Sequence, residues 1–195
     1  MTEMTAKDYA KIGFDEFLQS SDKEFPFKFE DVWLFLEQKR AKELWQERIM
    51  TLKKEIDSHE DCLGDNMLPV VMPVDHSFTE KQYIREFRAP ANHTIVSKIH
   101  NTNYPLILLE GDVTIVEKDG TKRVKAPYYS ITEVGTMRAV VVHEDCYFIT
   151  VHVSEATNIT DAEQEIFAKT FDDVKVNPKD SCFLEKFIEE VRNAK

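Results

Sequence analysis

The chain changes rhythm near its middle. Up to about His59 apolar residues recur every three or four positions, whereas from Tyr83 to Val153 they alternate with polar ones in steps of two. In the first part the spacing predicts a short helix over Asp8 to Leu18, with Tyr9, Ile12 and Leu18 near one face, ahead of a break at Phe25-Pro26-Phe27. A long helix follows from Glu30 to about His59, free of Gly and Pro, with Phe35, Trp45, Ile49, Leu52 and Ile56 along one side. Gln38 and Lys42 take the equivalent places in its first half, so the stripe is only part of a coiled-coil seam. It either packs on the rest of the protein or pairs with a second copy. Cys62 to Asn66 ends the helix, and Leu68 to Val74, holding Pro69 and Pro73, reads as an extended apolar connector.

The period-two stretch predicts seven short strands: Tyr83–Phe87, Thr94–His100, Leu106–Leu109, Asp112–Glu117, Arg123–Ala126, Met137–His143 and Cys146–Val153. Lys118-Asp119-Gly120 marks one hairpin, and the polar triplet His143-Glu144-Asp145 predicts another. Seven strands in so short a stretch imply an antiparallel barrel or sandwich. Beyond it, Ala156 to Thr170 has helical spacing, with Thr160 and Glu163 set as a capping box, and Ser181 to Arg192 predicts a last helix. The expected organisation is a helical arm and connector over 1–75, a barrel over 76–155 and helices packing on it over 156–195.

Composition narrows the function classes. Thirty-six acidic against 25 basic residues leave a net charge of −11, which repels phosphate backbones and anionic lipid heads. Nucleic acid and membrane are therefore not expected partners. Three cysteines without paired spacing suggest neither a disulfide framework nor a metal knuckle, and no apolar run approaches the roughly 20 residues of a membrane span. A cytoplasmic protein is the expectation.

The segment Lys98-Ile99-His100-Asn101-Thr102-Asn103-Tyr104, with Gly111 beyond it, resembles the first cupin motif, His-x-His followed by Glu and then Gly. Lys98 stands in the first His place, His100 in the second and Tyr104 in the Glu place. Glu133-Val134-Gly135-Thr136-Met137-Arg138 resembles the second motif, Pro-x-Gly-x-x-His, with Arg138 in the His place. The likeness is to the cupin superfamily, the RmlC-like jelly rolls. More loosely, His76 to His152 is similar to small cupin-like proteins of tailed bacteriophages that have no assigned role. The fold so implied is mainly β with flanking helices: a cupin-like antiparallel β-barrel or jelly roll, preceded by a long helix and followed by two short ones. Lys98 and Arg138 are cations at places where a metal needs neutral imidazoles, and Tyr104 replaces the carboxylate, so three of the four ligand positions do not match.

Strand alternation puts Thr94, Val96, Lys98 and His100 on one face, and Arg138, Val140 and Val142 on one face of theirs. Turned inward, Lys98, His100, Tyr104 and Arg138 line a lumen that suits a small anionic molecule such as a phosphate or carboxylate. Turned outward, Lys98 lies along the surface and Arg138 pairs with Glu133 or Glu110 at the rim. The first arrangement makes the chain a small-molecule binding protein without cofactor or catalytic residue, a homo-oligomer in the host cytoplasm if phage-encoded. A second reading gathers His76, His100 and His152 around a divalent metal, as in a cupin isomerase or dioxygenase. A third makes the barrel a scaffold of a virion or assembly component.

Overall fold

The computed structural model describes residues 4–20, 27–64 and 67–174, together with Lys186 and Glu189. The sequence-predicted helix over Ser181–Arg192 lies outside the described residues apart from those two, which are helical. Contacts divide the chain into two compact units, Met1–Glu43 with Val176–Lys195, and Leu44–Lys175.

In the first unit, helix α1 (Ala6–Ser20) starts at a reciprocal pair, the Asp8 carboxylate accepting from the Thr5 amide and the Thr5 hydroxyl from the Asp8 amide. Tyr9 and Ile12, two of the three residues expected along one face, are exposed. The Phe14 ring lies 5.7 Å from that of Phe29, itself stacked on Trp33. Phe29 opens the long helix α2 (Phe29–Asp57), within one or two residues of its expected bounds.

In the second unit the part of α2 beyond Leu44 packs on the β-structure, as one of the two expected outcomes had it. Ile49 is fully buried among Ile99, Met137 and Ala139, with Trp45 and Leu52 beside it, and the Trp45 indole donates to the Met137 carbonyl at 3.3 Å. After α2, Leu68–Val71 form a single helical turn, α3, where an extended connector was expected. Pro69 sits in its first turn, the one place in a helix where a missing N–H costs nothing.

Among the described residues nine strands follow: β1 (Val74–Phe78), β2 (Gln82–Ala89), β3 (Thr94–Val96), β4 (Ile99–His100), β5 (Tyr104–Glu117), β6 (Gly120–Lys125), β7 (Tyr128–Thr132), β8 (Ala139–Val153) and, after helix α4 (Ile159–Ile166), β9 (Phe167–Ala168). Seven form one antiparallel sheet in the order β1-β2-β8-β5-β6, with β3 also on β8 and β7 also on β5. β1 and β7 went unread because each is a short edge segment. The hairpin at Lys118-Asp119 is as expected, with Glu117 opposite Gly120.

The hairpin expected at His143-Glu144-Asp145 does not exist. Those residues lie inside the continuous β8, and Leu109 to Gly111 likewise lie inside the continuous β5. Both strands bend together, with the β5–β8 register shifting between Leu108 and Val113. Each long strand thereby serves two leaves: β1-β2-β8-β5-β7 on one side and β3-β8-β5-β6 on the other. Gly111 sits at the corner with φ +98°, and a Cβ there would lie 2.6 Å from the Asp145 carbonyl oxygen and 2.8 Å from the Cys146 Cα.

Inward-facing residues form rungs between the leaves. In the first leaf they run from Tyr83, His152 and Tyr104, through Arg85, Thr150 and Leu106, to Phe87, Phe148 and Leu108. In the second, Arg138 and Glu117 are followed by Ile95, Val140 and Ile115, then by Val113 and Val142. The Arg138 guanidinium reaches Thr132, which is paired with Tyr104, so the polar rungs of both leaves share one end. The core is polar at that end and apolar at the other.

Cys146 is buried at the bend, and burial pushes its thiol up to about 11, whereas Cys62 is half-buried. Iodoacetamide at pH 8 is therefore expected to modify Cys62 and spare Cys146 in the native protein. Peptide mass spectrometry with and without urea checks this, and native labelling of Cys146 at the rate of Cys62 would contradict it.

Candidate functional site

His100 lies on β4, whose partner is β9; the strand expected over Thr94–His100 is broken at Ser97-Lys98. The His100 amide donates to the Thr136 carbonyl and the Gly135 amide donates to the His100 carbonyl, so the loop carrying Gly135 clamps this residue from behind. Its ring is buried, with Nε2 2.9 Å from the Tyr104 hydroxyl, also buried. His152, buried below, lies 4.4 Å from Tyr104 ring to ring and stacks parallel to His100 at 6.1 Å. Burial, reinforced by neighbouring positive charge, holds His100 well below the usual imidazole range and His152 at about 4, so both are neutral at pH 7. Burial also raises the Tyr104 phenol.

Arg138 faces inward, 5% exposed. Its guanidinium pairs with Glu117 at 2.9 Å and donates to the Thr132 hydroxyl at 2.6 Å, not with Glu133 or Glu110 as the rim alternative had it. Glu117 faces it because β5 and β8 pair at Val116–Ala139, which brings the next residue of each strand together. Lys98 stands at the strand break, more than half exposed, with Nζ 2.9 Å from the Glu163 carboxylate and 4.8 Å from the Phe167 ring centre.

Two residues of this site went unread in the sequence. Arg85 sits between Tyr83 and Phe87 on the inward face of β2, 3.4 Å from Glu163 and 5.0 Å from the Phe167 ring centre. Two large apolar neighbours at i−2 and i+2 were the available signal. Glu163 comes from α4, where the expected capping box is absent: Asn158 is the cap, its side chain accepting from the Asp161 amide at 3.0 Å. Glu163 is thus free to turn to Arg85 and Lys98. Ala162 and Ile166 of the same helix are buried against Tyr83, which fixes α4 over the polar end of the leaves.

Between the leaves lies a cavity of about 370 Å³. Arg85, Lys98, His100, Tyr104, Arg138 and Glu163 line its polar end, and Met72, Phe87, Ile95, Leu106 and Phe148 are among its apolar walls. All four residues expected to bind an anion thus line one cavity. Three buried nitrogens on these lining residues have no partner: Arg85 Nε, His100 Nδ1 and Arg138 Nε. A buried donor left unpaired costs about 1–3 kcal/mol, so each of these atoms that carries a hydrogen would gain from an acceptor within its reach.

The expected metal set does not converge. His76 stacks on Tyr83 at 5.8 Å and shares a hydrogen bond with its hydroxyl, and His152 lies beyond that same ring at 6.3 Å, so Tyr83 separates the two. Among the described residues no group of three or more His, Cys, Asp or Glu is placed to hold a metal ion. The ligand places of the cupin motifs hold Lys98, Tyr104 and Arg138 beside His100, a donor set that does not fit a divalent cation.

No protein-family model matches the sequence, and no curated protein matches it. Solved structures do resemble it. A cupin superfamily protein of Desulfitobacterium hafniense is 8% identical, with 42% of this chain and 76% of that one covered at a TM-score of 0.38. The EutQ protein of Clostridium difficile is 12% identical, covering 43% and 68% at 0.37. An RmlC-like cupin family protein of Methanocaldococcus jannaschii, with a double-stranded beta-helix fold, is 17% identical, covering 42% and 79% at 0.37. The chain is similar to these cupin structures in fold.

Proposed function

We propose that the chain is a cupin-like small-molecule binding protein of phage origin that holds an anionic ligand between its leaves without metal catalysis. The observation carrying this reading is the cluster of unpartnered buried nitrogens on Arg85, His100 and Arg138 around one cavity. Arg138 and Arg85 supply charge, His100 and Tyr104 supply hydrogen bonds, and Lys98 with Glu163 stands at the more exposed edge. When the Tyr104 hydroxyl donates to His100 Nε2, the ring proton sits on Nδ1, which makes the unpartnered atom a donor. Phage origin rests on the sequence resemblance, and assembly as a homo-oligomer in the host cytoplasm is part of the same reading.

Thermal shift against nucleotides, sugar phosphates, dicarboxylates and monocarboxylates tests it. At least one anion is expected to raise the Tm of the wild type and to lose that effect in Arg138→Met/Glu117→Gln, a pair that avoids stranding a partly buried carboxylate without its partner. No stabilising anion at millimolar concentration would overturn the proposal. Stoichiometric metal in purified protein, lost in His100→Ala, would replace it with the metal-dependent reading.

A further inference from the structure

We infer that the ligand is a monocarboxylate with an apolar body, its carboxylate at the Arg85–His100–Arg138 end and its hydrocarbon part along the apolar rungs. This rests on the anion-binding reading above and adds the chemical class.

Charge decides the head group. Among the described residues, Arg85, Lys98 and Arg138 bring three positive charges to the polar end, and Glu117 and Glu163 return two negative ones. The histidines there are neutral at pH 7. One positive charge is left uncompensated, which matches one carboxylate and leaves the second charge of a phosphate monoester without a counterpart. The planar carboxylate also suits a guanidinium, which can donate to both oxygens.

The walls decide the body. One rung below Arg85 stand Phe87 and Phe148, and one rung below Arg138 stand Ile95, Val140 and Ile115, with Met72 and Leu106 completing the lining. On the Phe87–Phe148 and Ile95–Val140–Ile115 rungs, below Arg85 and Thr150, no side chain can pair a hydroxyl or a second charge, so a sugar, a nucleotide or a dicarboxylate would leave polar groups stranded there. A volume of about 370 Å³ is near the small end of ligand pockets and far above what one ion needs.

Calorimetric titration of the full chain at pH 7 with octanoate, octan-1-ol, acetate and octyl phosphate tests the inference. Octanoate is expected to bind at least tenfold tighter than octan-1-ol, which lacks the charge, and than acetate, which lacks the body, with octyl phosphate weaker than octanoate. Arg85→Met leaves Glu163 held by Lys98 and should bring octanoate down to the affinity of octan-1-ol. Octanoate no tighter than acetate would overturn the inference, as would octyl phosphate binding tenfold more tightly than octanoate. If phosphate, nucleotides or dicarboxylates bind and octanoate does not, this inference fails while the anion-binding reading stands. If no anion binds, both fall.

Discussion

Gly111→Ala is expected to cost roughly 2–6 kcal/mol: about 1–3 for a side chain in a left-handed backbone and about 1–3 for forcing atoms apart in a packed interior. The backbone there has φ +98°, and the added carbon would meet the Asp145 carbonyl oxygen at 2.6 Å and Cys146 at 2.8 Å. Main-chain atoms of a paired strand cannot swing aside as a flexible side chain can. The loss is a large part of the roughly 5–15 kcal/mol that holds a domain together. Gly120→Ala separates the two causes, because φ there is +127° but nothing lies within 4 Å of the new carbon. It should cost only the backbone share. Urea midpoints of the two variants check this, and equal losses would contradict a bend built on close approach of β5 to β8.

Acid should destabilise the protein well before its carboxylates protonate. Burial holds His152 at about 4 in the folded state, against an ordinary value of 6.5, and pushes His100 down in the same direction. Unfolding therefore takes up protons below pH 6.5. The stability gained by keeping these rings neutral is complete above that pH and is lost as pH falls from 6.5 towards 4. At about 1.4 kcal/mol per pH unit, His152 alone removes about 2 kcal/mol between pH 6.5 and pH 5, with His100 adding in the same direction. Urea midpoints at pH 7 and pH 5 measure the sum. In His152→Gln the slope should fall by one proton, and an unchanged slope would mean that His152 is not the group titrating.

The alternation between Tyr83 and Val153 was legible because antiparallel strands with one buried face write their structure in steps of two. The bends were not. A polar triplet such as His143-Glu144-Asp145 has the chemistry of a hairpin turn, and only its position opposite Gly111 makes it the outer corner of a strand that carries on. Gly111 was recognisable as the glycine of the motif, but its close neighbours Asp145 and Cys146 come from 34 and 35 positions away.

The site was partly legible for the same reason. Alternation placed His100 and Arg138 each on one face of its stretch and left open whether those faces turned inward, and the motif likeness selected Tyr104. The partners were hidden: Glu117 meets Arg138 through strand register, and Glu163 reaches Arg85 and Lys98 only because Asn158 rather than Thr160 caps α4. Lys98 was assigned to a strand face, yet the chain breaks at Ser97-Lys98, which frees the side chain towards Glu163.

Everything proposed for the cavity requires that His100 sit inside, against Tyr104 and His152, and not in bulk water. Imidazole nitrogen-15 shifts of His100, followed by NMR from pH 7.5 to pH 5 in the folded protein, test that placement directly. The expected result is a ring that stays neutral throughout, with one fixed tautomer set by the Tyr104 hydrogen bond. A His100 that titrates near 6.5 with averaged tautomers would place it in solvent and contradict the shared interior.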